Sequence, residues 1–138
     1  MNGKYTVVGI NLANLEEAFG GSEDVLAQML TLFQAQAPER VRQLSGHLGV
    51  WDEMAARTVL HSLVNIAGAV RAYGLSDLAK AVGDAVKSGD RTRANDQAQL
   101  LVKESIFVLA QVRQLLEAAQ ADLKNLWSED ISQPGIEN

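Results

Sequence analysis

The residue best suited to do chemistry in this sequence is His61, one of only two histidines among 138 residues. It lies in the stretch VLHSLVNIAGAVRAYGL, between apolar residues and a run of small ones. A neutral imidazole is a competent nucleophile at cellular pH, so His61 could form a covalent bond through a ring nitrogen. The other histidine, His47, stands in SGHLG, where a helix-end or surface role is expected.

The remaining motifs argue against a self-contained enzyme. The chain has no cysteine, which excludes disulfides, thiolate catalysis and cysteine metal sites. The two histidines are 14 residues apart with no HExxH arrangement, so no metal site is predicted. The glycines lack the spacing of a phosphate-binding loop or a dinucleotide fingerprint, and no Gly-x-Ser-x-Gly motif occurs. We expect neither autonomous catalysis nor a bound cofactor.

Composition restricts the class of partner. The net charge is -5, the isoelectric point is about 4.9, and Lys and Arg form no block, which argues against nucleic acid as a partner. No apolar run approaches the roughly 20 residues of a membrane span, and the first residues lack the regions of a signal peptide. We expect one soluble, cytoplasmic and monomeric domain over residues 1–127, followed by a polar, disordered tail over 128–138.

Apolar residues at helical spacing predict the elements that position His61. After an extended lead, KYTVVGI, a short helix in NLANLEEAFGG is capped by Asn11 and stopped by two glycines. Ser22 is predicted to cap the second helix, EDVLAQMLTLFQAQA. Pro38 then suits the first turn of either a continuation or a new helix, which ends at its glycines.

The helix that carries His61 is predicted to run from about Glu53 to Ala72, with Asp52 as its cap. Tyr73 and Gly74 are expected to end it.

Two further helices complete the predicted fold. Ser76 is expected to cap DLAKAVGDAVKSGD, which Ser88 and Gly89 close, and the last helix extends from about Arg93 to Trp127. Short connections and almost no strand content predict an all-α, up-and-down four-helix bundle with a short additional N-terminal helix.

At 100° per residue, Leu60 is the middle of the apolar stripe and His61 lies about 100° from it, where the stripe meets solvent. The other members of the stripe are Ala56, Leu63, Val64, Ala67 and Val70. Packing should therefore hold the backbone of His61 while its imidazole reaches water. Beyond it, Gly68, Ala69 and Ala72 leave room for another protein. A glycine in mid-helix indicates close approach, here by a partner or by the adjacent helix.

The stretch DEMAARTVLHSL resembles the histidine-containing phosphotransfer (HPt) domain of multistep two-component signalling, with His61 at the phosphoacceptor position. Apolar positions that continue the resemblance are Ala67, Leu75, Leu78 and Val82. Phe33 and Pro38 in the opening helices and the later AVKSGD extend it over nearly all of residues 10–120.

The resemblance implies that His61 Nε2 accepts a phosphoryl group from an aspartate of a response-regulator receiver domain and passes it to another receiver. The receiver supplies magnesium, so this chain needs no cofactor and no kinase activity of its own. A hybrid histidine kinase is a further candidate partner.

Around His61, the resemblance gives roles to neighbouring residues. Arg57, one turn earlier, could pair with a phosphoryl oxygen, although a solvated surface arginine is equally consistent with its position. Asn65 could donate its amide to phosphate, or be a polar surface position. A docking surface is expected at Ser62, Gly68, Ala69 and Ala72, together with the helix that begins at Ser22.

Three positions depart from the family pattern. The family usually has lysine three residues after the histidine, glycine four after it and a second glycine ten after it, where this chain has Val64, Asn65 and Arg71. Val64 supplies no charge near a phosphoryl group, and Asn65 narrows the space beside the ring. These departures leave open a second hypothesis, a degenerate HPt-like module that binds a receiver or kinase without carrying phosphate.

Two further alternatives follow from the pattern. A competing register places Val64 at the acceptor position and matches Gly68 and Gly74 to the two glycines, but it shifts Asp52 out of phase, so His61 is preferred. A helical scaffold could instead self-associate through the last helix, although a face buried within the bundle is the commoner role of such a stripe. The stripe is formed by Val108, Leu115, Leu116, Leu123 and Trp127.

Overall fold

The computed structural model describes residues 5–131, with side chains through residue 121, and this part of the chain forms five helices and no strand. The helices are α1 (Leu12–Phe19), α2 (Glu23–Gly49), α3 (Glu53–Ala69), α4 (Tyr73–Lys87) and α5 (Arg91–Ile131). α3 packs against α2 and α4, and α5 packs against the same two helices, so the four long helices share one core. α1 contacts α2. The all-α prediction is confirmed.

The core side of α3 agrees with its predicted stripe. Ala56, Leu60, Leu63, Ala67 and Val70 are buried, and Val64 is half-buried at the margin. Burying a side chain such as leucine contributes about 1.5–3 kcal/mol, so this face fixes α3 firmly on the bundle.

Two of the four predicted side-chain caps are confirmed. Asn11 Oδ1 accepts the Asn14 N–H at 3.0 Å, and Asp52 Oδ1 accepts the Ala55 N–H at 3.2 Å. Ser22 does occupy the N-cap position of α2, but its side chain makes no capping hydrogen bond, which corrects the predicted role. α2 continues as one helix of 27 residues with Pro38 inside it.

The end of α3 differs from the prediction. The helix ends at Ala69, three residues before the expected Ala72, because Arg71 adopts a positive φ of 61°. The Arg71 N–H donates to the Gly68 carbonyl at 3.1 Å, and the Ala72 N–H donates to the Ala67 carbonyl at 2.9 Å. This pair of bonds is a Schellman motif, whose left-handed position usually holds glycine. An arginine there gave no stop signal in the sequence.

The beginning of α4 is displaced for the same reason. α4 starts at Tyr73, so Tyr73 and Gly74 open this helix instead of terminating the previous one. Ser76 is therefore not a cap: it is buried inside α4, and its hydroxyl donates to the Val64 carbonyl of α3 at 3.4 Å. The other end agrees with the prediction, since α4 closes at Ser88.

α5 is longer than predicted, beginning at Arg91 and reaching Ile131. Asp90 Oδ1 accepts the Arg93 N–H at 3.0 Å and so starts the helix earlier. Val108 of the proposed association stripe is fully buried, and Leu115 and Leu116 are half-buried against the core. The side chains of Leu123 and Trp127, and residues 132–138 of the predicted tail, lie outside the described part of the chain. Among the described residues, none of the helices combines the length and the apolar character that a membrane span requires.

One buried carboxylate on α5 binds three groups of the extended N-terminal lead. Glu104 is 0% exposed and accepts the Tyr5 hydroxyl at 2.7 Å, the Val8 N–H at 3.0 Å and the Gly9 N–H at 2.6 Å. Burial, reinforced by the hydrogen bond to Glu104, raises the pKa of the Tyr5 hydroxyl, which therefore remains a donor at neutral pH. Nothing in the helical pattern singled out Glu104 for this role.

Substitution of two glycines of α4 by alanine is expected to change the stability of the fold in opposite directions. A Cβ on Gly74 would lie 2.7 Å from the Cβ of Val8 and 3.1 Å from Glu104 Oε2, whereas a Cβ on Gly83 would meet nothing within 4 Å. We expect Gly74→Ala to lower the free energy of unfolding by about 1–3 kcal/mol. Gly83→Ala should raise it by up to about 1 kcal/mol, because alanine is the better helix former. Urea denaturation followed by circular dichroism measures both, and equal stabilisation by the two substitutions would contradict the packing of the lead on α4.

Candidate functional site

His61 is an exposed residue on α3 at the edge of a groove of about 870 Å³ between α3 and α4, called here the α3–α4 groove. The ionisable residues that line it are Glu53, Arg57 and His61 from α3 and Lys80, Asp84 and Lys87 from α4. Leu60 and Ala79 contribute to its apolar floor.

The fold holds the backbone of His61 while leaving the ring accessible. Leu60 and Leu63 on either side of it are buried, and the Asp52 cap fixes the first turn of the same helix. A nucleophile on a packed helix loses little conformational freedom when a partner arrives, which favours reaction in a docked complex.

The α3–α4 groove is more positive than the chain as a whole. Three cations and two acids line it, which gives +1 with His61 neutral, whereas the whole chain carries -5. The cations Arg57, Lys80 and Lys87 form no ion pair with any side chain in residues 5–121. An anion at His61 would therefore meet cationic side chains that are not already neutralised.

Comparison with protein families identifies the class of the domain. A family model described as Hpt domain matches residues 28–125, well over half of the chain, and the matched region includes all of α3 and α4. The chain belongs to the Hpt domain family. Comparisons with curated proteins and with solved structures gave no match. Hpt domains are helical phosphocarrier modules of two-component phosphorelays, and the all-helical structure is consistent with that class.

Of the residues predicted to assist an Hpt histidine, the structure brings only Arg57 into the groove with His61. Asn65 is exposed but does not line the α3–α4 groove. Ser62 lies towards α2, where its hydroxyl accepts the Arg40 Nε–H at 3.1 Å. Ser62 is therefore engaged within the bundle through its hydroxyl oxygen.

The predicted docking residues beyond His61 are only partly available. Gly68 faces open space, because a Cβ built on it would meet nothing within 4 Å. The adjacent helix therefore does not approach it, which corrects that alternative within the described residues. Ala69 is half-buried, and Ala72 is 0% exposed. Ala72 cannot belong to a docking surface, because α3 ends before it and the connection turns it into the core.

The sequence did not indicate that α4 forms the second wall of the groove beside His61. Lys80 and Lys87 are seven residues apart and both line the α3–α4 groove. That spacing indicates one helix face. Met54, seven residues before His61, also lines the groove and is 80% exposed. The available signal was this exposed face of α4, which could be related to His61 only after the two helices were paired.

The described residues contain no group of three or more His, Asp or Glu side chains that could hold a metal ion. The α3–α4 groove has Glu53 and Asp84 as its acids, together with three cations. Hard divalent cations prefer several oxygen ligands, so this donor set does not fit magnesium.

Proposed function

We propose that this chain carries a phosphoryl group in a two-component phosphorelay, receiving it on His61 from a receiver-domain aspartate and delivering it to another receiver. The observation that supports the proposal best is the exposed His61 on a rigid helix, beside a groove that is positive in an otherwise acidic chain. A phosphoryl group carries about -1.5 to -2 charges near neutral pH, so a positive groove suits the loaded state.

The proposed transfer uses the neutral imidazole of His61 with its proton on Nδ1. The lone pair on Nε2 attacks the phosphorus of the aspartyl phosphate, an N–P bond forms, and the P–O bond to the aspartate breaks. The electron pair of that P–O bond remains on the released carboxylate. Delivery is the reverse reaction with the carboxylate of a second receiver, so the cycle leaves no net change of protons on His61.

The two partners divide the work of this reaction. The receiver brings the acyl phosphate or the accepting aspartate, together with its magnesium ion. This chain contributes the positioned nucleophile, the cation Arg57 and the surface on which the receiver docks. Because the phosphoryl group arrives already activated as an acyl phosphate, the chain has no need for kinase activity of its own.

The docking surface in this proposal comprises the exposed side of α3 around His61 and Gly68, with α2 beside it. The short connections between the long helices support an up-and-down arrangement of the bundle, as does the pairing of each helix with two neighbours. We further propose that the chain acts as a monomer in the cytoplasm, with a receiver domain or a hybrid histidine kinase as its partner.

A degenerate Hpt module that docks without carrying phosphate is the second candidate, and Arg71 favours it. In the family pattern a glycine stands at this position, whereas the Arg71 guanidinium donates to the carbonyls of Gly68 and Ala69 at 3.0 and 3.1 Å. Val64, at the position of the usual lysine, lines the groove with an apolar side chain. These departures weaken the family's usual surroundings of the acceptor without removing the acceptor itself.

Phosphoryl transfer from a phosphorylated receiver distinguishes the carrier from the docking module. Receiver domains are phosphorylated with labelled acetyl phosphate and mixed with this chain and magnesium. The chain is then isolated and given a second, unphosphorylated receiver. The proposed carrier gains acid-labile label in the first step and loses it to the second receiver. Binding of receivers with no label on this chain would instead establish the docking module.

A further inference from the structure

We propose that Lys80, on α4, contacts the phosphoryl group while His61 carries it. The inference rests on the proposed function, because it assigns a phosphoryl-contacting residue to the same site. It depends on three observations: the register between α3 and α4, the distribution of charge along the groove, and the absence of a competing partner for Lys80 in residues 5–121.

The register between the two helices puts Lys80 level with His61. Only three residues connect α3 to α4, so two helices packed along each other must run antiparallel. The hydrogen bond from the Ser76 hydroxyl to the Val64 carbonyl fixes which residues face each other. Three residues before Val64 on α3 and three residues after Ser76 on α4, His61 is level with Ala79. Lys80 follows Ala79 and is therefore displaced from the height of His61 by one residue, about 1.5 Å along the helix axis. Both side chains line the same groove.

The other two cations of the groove are less well placed. Arg57 is four residues from His61 along α3, which is about 6 Å along the helix axis. In the same register Lys87 is level with Glu53, eight residues or about 12 Å from His61. An acid therefore stands opposite Lys87, and Asp84 stands close to the level of Arg57. Lys80 is the cation closest to the height of the acceptor.

Lys80 is also free to turn towards the anion. It is exposed, and within residues 5–121 its ammonium group has neither an ion pair nor a hydrogen bond. A lysine has a flexible four-carbon stem and three rotatable donors, so it can follow a phosphoryl group that moves between nitrogen and oxygen. A charge-assisted hydrogen bond to a phosphoryl oxygen would neutralise charge on the group in transit. No bond to Lys80 forms or breaks in this role.

The test compares removal of one positive charge at two positions in the same groove. Lys80→Gln and Lys87→Gln change the net charge equally, and Lys80→Arg restores a cation at position 80. For each variant, the single-turnover rate of transfer from a receiver phosphorylated with acetyl phosphate is measured at a saturating receiver concentration. The affinity for the unphosphorylated receiver is measured as well. Since both lysines are exposed, the variants are expected to keep the circular dichroism spectrum of the wild type.

We expect Lys80→Gln to slow transfer on the order of tenfold, Lys87→Gln to stay within about twofold, and Lys80→Arg to recover most of the lost rate. The affinity for the unphosphorylated receiver should be unchanged, because Lys80 acts on the phosphoryl group and not on docking. Equal effects of the two glutamine variants, or a loss of affinity with an unchanged saturated rate, would overturn the role of Lys80. Failure of the wild type to accept any label would refute the proposed function itself and with it this inference.

Discussion

Replacing His61 by glutamine is expected to reduce acid-labile phosphorylation of the chain by at least roughly a hundredfold, to background. Glutamine keeps a polar side chain of similar length but has no ring nitrogen with a nucleophilic lone pair. Because the side chain of His61 is exposed and makes no hydrogen bond within residues 5–121, the substitution should leave the fold intact. The measurement is the label that the variant and the wild type each receive from a phosphorylated receiver, quantified after gel separation at neutral pH.

His47 provides the matched control, since it is the only other histidine in the sequence. It is half-buried in the last turn of α2, where its carbonyl accepts the Asp52 N–H at 2.8 Å, and it does not line the α3–α4 groove. His47→Gln should therefore retain the wild-type label. Loss of label in His47→Gln with retention in His61→Gln would show that the acceptor has been assigned to the wrong helix.

Replacing Glu104 by leucine is expected to give the largest loss of stability among single substitutions outside the apolar core. The change removes the acceptor of the Tyr5 hydroxyl and of the Val8 and Gly9 N–H groups. Buried donors without an acceptor cost about 1–3 kcal/mol each, and release of the N-terminal lead into water limits the total. We expect the free energy of unfolding to fall by about 2–4 kcal/mol.

Glu117→Leu is the control for this substitution, because Glu117 is an exposed residue on the same helix. Its effect should remain within about 0.5 kcal/mol. Urea denaturation gives both values, and amide hydrogen exchange at Val8 and Gly9 reports whether the lead has detached. An unchanged midpoint for Glu104→Leu, with exchange at those amides still slow, would contradict the role of the carboxylate.

The position of His61 could be predicted because it depends on local periodicity. The 100° spacing of α3 put Leu60 and Leu63 in the core and His61 in solvent, and the structure agrees. The caps at Asn11 and Asp52 were predictable for a similar reason, because a side-chain oxygen there reaches an N–H only three residues away.

The boundary between α3 and α4 could not be predicted, because the residues there are not the types that usually end one helix and begin the next. Arg71 occupies a left-handed position where glycine is expected, and Ser76, a favoured cap residue, lies inside α4. Both errors have one consequence for the site. The sequence placed Ala72 on the docking face, whereas the early end of α3 turns it into the core.

The partners of the site from other elements were also beyond the sequence. Arg57 could be proposed because it is one helical turn from His61. Lys80 is 19 residues away, and its position near His61 depends on the antiparallel register set at Ser76 and Val64. Glu104 similarly acts on residues 5–9 of the N-terminal lead, which no periodicity within α5 could indicate.

Mass spectrometry at neutral pH shows directly whether His61 itself bears the phosphoryl group. The full chain is charged by a phosphorylated receiver, isolated without exposure to acid, digested and fragmented so that the modified residue is located. We expect the phosphoryl group on His61 and none on His47. A phosphoryl group located on any other residue, or an unmodified chain recovered in complex with the receiver, would contradict it.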